Sequence, residues 1–113
     1  MKIIKDKISI AELKEMAARK FGNLVKAVVD MENSVMAVDA ELHADEEAAL
    51  LESGSRQESL WGINLYPDLS GVDFIEFDSL INLRPSQGNR SRGVDKRETR
   101  ERIIQVVNQL VEK

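Results

Sequence analysis

Three places in this sequence hold residues that can do chemistry: one histidine, one alternating segment and one arginine-rich loop. His43 is the only histidine, and it stands in Glu41-Leu42-His43-Ala44-Asp45-Glu46 with carboxylates on either side. Neighbouring carboxylates hold an imidazole and raise its pKa, which serves acid–base chemistry, or weak binding of a hard cation. More commonly a lone histidine at a helix start is a cap or a surface residue. His43 is therefore a catalytic candidate by residue type alone, as is Asp78 in the alternating segment.

From Val72 to Leu83 the chain alternates, with Ile75, Phe77, Ser79, Ile81 and Leu83 on one side and Phe74, Glu76, Asp78, Leu80, Asn82 and Arg84 on the other, as one long strand or one broken near Ser79. If that segment is one continuous strand, a carboxylate, an amide and a guanidinium project together from a rigid sheet face. Asn64 and Tyr66 join them if the preceding strand pairs alongside. Such a face can form a small-molecule site, although the wet side of any half-exposed sheet is polar. The loop Pro85–Gly93 then adds Asn89, Arg90 and Arg92, and Lys96, Arg97, Arg100 and Arg102 follow it. Guanidiniums bind phosphates bidentately, and a helix N-terminus contributes free N–H groups to an anion site. Asn82, Arg84, Asn89, Arg90 and Arg92 are accordingly the expected binding residues, with a small anion or phosphate-bearing ligand as the expected partner.

Other chemistries are excluded. The chain has no cysteine, so disulfides, thiolate zinc sites and cysteine nucleophiles are absent. It carries no phosphate-binding glycine loop, nucleophile elbow or paired-histidine zinc motif, and neither a metal nor a cofactor is expected. The net charge is −4, with an acidic middle between two mildly basic ends. An acidic chain with no aromatics interleaved among its arginines disfavours nucleic acid. No apolar run reaches a membrane span, and the start, Met1 to Lys7, has no apolar run behind its lysines. The expectation is a cytoplasmic protein.

The elements that must position these residues follow from periodicity. Ile3 and Ile4 start a short strand. Ser9 and Glu12 form a capping box, Ile8 and Leu13 a hydrophobic staple, and a first helix is expected over 10–21, stopped by Gly22. Leu24–Met31 and Val35–Val38 read as a hairpin. A helix over 44–53 carries its acids in the first turn, capped by His43 or Asp45 and closed by Gly54. Strands are expected at 60–66 and 72–83, and a last helix at 96–112 behind an Asp95/Glu98 capping box. At 113 residues this makes one α+β domain, 1–113, in the order (β)-α-β-β-α-β-β-α. Four or five mostly antiparallel strands would be backed by about three helices on one face.

Several segments carry a resemblance: Glu41-Leu42-His43-Ala44-Asp45-Glu46-Glu47, Gly54-Ser55-Arg56-Gln57, Leu60-Trp61-Gly62-Ile63-Asn64-Leu65-Tyr66-Pro67 and Ser79-Leu80-Ile81-Asn82-Leu83-Arg84-Pro85. With these the chain resembles, over nearly its whole length, a family of small prokaryotic proteins known only as a domain of unknown function. The resemblance implies no activity and no site residue. On the residues alone, the first reading is a small binding or interaction domain, able to form a homodimer through a sheet edge or the last helix. The second is a small hydrolase or phosphate-handling enzyme with its site on the polar face of the 72–84 strand and the 86–93 loop.

Overall fold

The valine-rich run after Gly22 becomes the centre of a sheet. In chain order the elements are β1 (Lys2–Ile4), β2 (Ile8–Ser9), α1 (Ile10–Arg19), β3 (Val25–Asp30), β4 (Val35–Val38), α2 (His43–Glu52), β5 (Leu60–Leu65), β6 (Ile75–Glu76), α3 (Arg97–Leu110) and β7 (Val111–Glu112). They are seen in a computed structural model that describes residues 1–113. Five strands pair antiparallel in the order β1-β4-β3-β5-β6, and β2 pairs with β7 in a small parallel ladder. The fold is thus α+β, with three helices. No helix is long and apolar enough to cross a membrane.

Strand β3 sits between β4 and β5, in register from Val25 opposite Leu65 to Asp30 opposite Leu60. One face of the sheet packs Val25, Ala27, Val29, Ile63 and Leu65 against Leu13 and Met16 of α1 and against Ile103, Val106, Val107 and Leu110 of α3. The other face packs Val28, Ala37 and Leu60 against Leu50 of α2. Helices therefore cover both faces, not one. The reason is visible in β3, where an almost unbroken apolar run marks a strand buried on both sides. Lys26 interrupts that run, pointing to the α2 face.

The expected strand over 72–83 is the largest correction. Only Ile75–Glu76 pairs with β5, opposite Leu65 and Asn64. Gly71–Asp73 and Leu80–Asn82 are single 3₁₀ turns. The alternation fails with them: Phe74, Asn82 and Arg84 of the expected outer side are buried, and Leu83 of the expected inner side is exposed. Ser79 decides the second turn, because its Oγ accepts a hydrogen bond from the Ile81 N–H. The capping expectations divide in the same way. Ser9 accepts from the Glu12 N–H, but neither His43 nor Asp45 caps α2. Asp95 leaves α3 uncapped and instead accepts from the Arg90 N–H and the Ser91 hydroxyl.

Candidate functional site

From Leu60 to Gly62 the edge of β5 that faces away from β3 has no neighbouring strand, and side chains close it. Asn82 lies flat against Gly62, accepting from its N–H at 2.8 Å and donating to its carbonyl at 2.9 Å. One amide thereby completes the ladder where a strand would have continued. Its Nδ2 also donates to the Arg92 carbonyl at 3.0 Å. Gly62 must be glycine here: a Cβ would stand 2.5 Å from the Ser79 Cβ. Arg84 donates to the carbonyls of Gln57 and Leu60 and stacks over Trp61 with its guanidinium 4.2 Å from the ring centroid. Asn89 donates to the carbonyls of Asn82, Ser91 and Gly93 and accepts from the Asp95 N–H. These three side chains are buried, and their bonds go to the chain's own backbone.

What this framework holds in place is a small cavity of about 170 Å³ at the start of α2. Leu42, His43 and Ala44 form one wall, Ser79, Leu80 and Ile81 another, and Lys26 and Arg92 complete it. The first turn of α2 has no side-chain cap, so the backbone N–H groups of His43 and Ala44 have no intrahelical acceptor. His43 is 9% exposed, and its Nε2 lies 2.8 Å from the Ile63 carbonyl. A carbonyl only accepts, so Nε2 carries the proton and Nδ1 presents a lone pair. Nδ1 has no protein partner and is not sealed from solvent.

The electrostatics keep this imidazole neutral. Burial pushes its pKa below the ordinary histidine value, and the Lys26 and Arg92 cations push the same way. The Ile63 carbonyl and Asp78 pull upward and do not prevail. The flanking carboxylates read from sequence therefore do not raise it, because Glu46 is buried beneath the helix start with its own pKa pushed up to about 9. Glu46 is neutral at pH 7 and holds the Ala40 N–H through Oε2. Asp45, the other acid of the first turn, is exposed. Arg92 holds Asp78 through Nε at 2.8 Å, leaving its other nitrogens without a partner, and Lys26 forms no ion pair, its ammonium lying 5.1 Å from the centroid of the Phe21 ring. Ser79 Oγ accepts from Ile81, which leaves its O–H as a donor.

The residues singled out in the sequence thus separate. His43 and Arg92 meet at the cavity, with Asp78 behind Arg92. Asn82, Arg84 and Asn89 support the loop, Asn89 also reaching a second cavity beside Trp61 and Lys96. Arg90 is exposed and does not reach the His43 cavity. Glu76 stays with Asn64 and Tyr66, accepting from both at 2.9 Å. Lys26, Ser79 and the uncapped N–H groups were missed. Lys26 had a signal, since it is one of only two basic residues between positions 24 and 83 and lies in a valine run. Ser79 had none, because its place depends on contact with Gly62. No group of three or more His, Cys, Asp or Glu is arranged to hold a metal ion.

A family described as "Protein of unknown function (DUF5674)" matches the chain over residues 2–110. No curated protein and no solved structure matches it significantly.

Proposed function

Because the chain belongs to that family, whose description names no activity, we propose from geometry that it is a small-anion-binding domain. The ligand is a small oxyanion or the phosphate group of a small molecule, seated between α2, Lys26 and Arg92. One observation carries this reading: at the uncapped start of α2 a nine-tenths buried histidine with an unpartnered ring nitrogen lines a cavity that Lys26 and Arg92 also line. Residues that carry free helix N–H groups, a hydroxyl and two side-chain cations line it, and such donors attract anions. The cavity is smaller than the roughly 300–1,000 Å³ of sites for drug-sized ligands, so it suits a compact anion.

The test is titration of the protein with inorganic phosphate, followed by calorimetry and by the backbone amide resonances of His43 and Ala44. The expected outcome is saturable binding that shifts both amides. Titration without heat and without movement at these amides removes the reading. The second reading, a hydrolase or phosphate-handling enzyme, is favoured by one feature of the same site: a neutral imidazole with a fixed tautomer is a general base in waiting. Release of phosphate from a phosphate monoester, abolished in His43→Gln, is its test.

A further inference from the structure

The donors of this cavity explain why an anion enters it, but Nδ1 of His43 does not fit an anion that has only acceptors. The Ile63 carbonyl fixes the proton on Nε2, so a neutral His43 offers the ligand a lone pair, not an N–H. The other polar side chains of the lining and the first N–H groups of α2 can donate: the N–H groups of His43 and Ala44, the Ser79 hydroxyl, Lys26 and Arg92. A bound species therefore needs several acceptor oxygens and one proton of its own. We propose that the site selects protonated oxyanions, inorganic phosphate foremost, and rejects sulfate. This rests on the anion-binding reading above and names the ligand class within it.

The chemistry is a matter of proton inventory. Inorganic phosphate keeps at least one P–O–H at neutral pH, which can donate to Nδ1 while its other oxygens accept. Sulfate has the same shape and no proton, so its nearest oxygen would face the Nδ1 lone pair in a partly dry cavity. Leaving two acceptors opposed without a proton between them costs the site a hydrogen bond and adds repulsion. A phosphate monoester loses its last proton near pH 6, so above that pH it resembles sulfate. Protonation of His43 at low pH changes the rule, because Nδ1–H then donates to any oxyanion. The groups facing His43 that set where this happens are Lys26 on β3, the Ile63 carbonyl on β5, and Asp78 and Arg92 on the loop. On its own helix Asp45 and Glu47 are the neighbouring acids at the surface side, and the buried Glu46 is neutral.

The experiment compares inorganic phosphate, sulfate and glycerol phosphate on the unmodified protein at constant ionic strength. It is run at pH 7.5 and again below the titration of His43. Because His43 is the only histidine, its imidazole nitrogen resonances report tautomer, protonation and ligand contact without ambiguity. Expected at pH 7.5 are phosphate binding with a shift of Nδ1, and sulfate and glycerol phosphate roughly tenfold or more weaker, the worth of one charge-assisted hydrogen bond. Below the histidine titration the three should converge. Equal affinity for sulfate and phosphate at pH 7.5 would overturn the selectivity and leave the anion site standing. An imidazole found with its proton on Nδ1 would overturn it too. No binding of any of the three at either pH would sink the site itself.

Discussion

Arg92 and Asn82 sit ten positions apart in sequence and touch in the structure, yet they do different work. Asn82 spends its amide on the backbone of Gly62 and Arg92, whereas Arg92 pairs only with Asp78 at the surface. Exposed ion pairs contribute about 0–1 kcal/mol. Arg92→Ala is therefore expected to leave the thermal midpoint nearly unchanged and to weaken phosphate binding roughly tenfold, by loss of a charge-assisted contact. Calorimetry beside a thermal melt checks both halves. Asn82→Ala should behave in the opposite way. It strands the buried N–H and carbonyl of Gly62, at roughly 1–3 kcal/mol for each group left unpaired. Chemical denaturation measures that loss.

At the scale of elements, the edge of β5 shows how a turn can replace a strand. Pairing with β6 stops at Asn64, and the next positions are closed by the Asn82 amide and by the Arg84 guanidinium on the Leu60 carbonyl. Ser79 packs directly on Gly62, so a methyl group there has no room. Gly62→Ala is expected to destabilise by about 1–3 kcal/mol, as overpacking does, and to displace the 79–82 turn. Broadened or shifted amides at Ser79, Asn82 and Arg92 would report it. Arg84→Lys should also destabilise, since a lysine cannot donate to two carbonyls in a fixed fork and stack flat on Trp61. Full stability in that variant would show that the guanidinium is not what holds the loop.

Over the whole molecule, pH acts through Glu46, which is fully buried and accepts only from the Ala40 N–H. Burial raises its folded pKa to about 9 from a reference value of 4.5. Between these values the folded state keeps a proton that the unfolded state has released. Stability from this group is thus fully present below pH 4.5 and declines as pH rises towards 9. Glu46→Gln keeps the acceptor for Ala40 and removes the titration. Its thermal midpoint is expected to fall less between pH 6 and pH 9 than that of the unmodified chain. Parallel curves for the two proteins would show that Glu46 is ionised when folded.

Local physics controls the parts that were legible in the order of the residues. Ser9 before Leu13 and Met16 starts α1, the valine run makes β3, and the stripe Ile103, Val106, Val107, Leu110 makes α3. Each is decided by residues within a few positions of one another, through capping or periodic burial. The same order also supplied His43 and Arg92, as residue types with chemistry to offer. Tertiary structure alone decided that they meet, that α2 takes the opposite face from α1 and α3, and that the alternating segment after Gly71 breaks into turns. Period-two alternation makes a strand only where a partner edge is free to pair with it. Along β5 that edge was already taken by the side chains of Asn82 and Arg84, a competition between groups some twenty residues apart that no local pattern records.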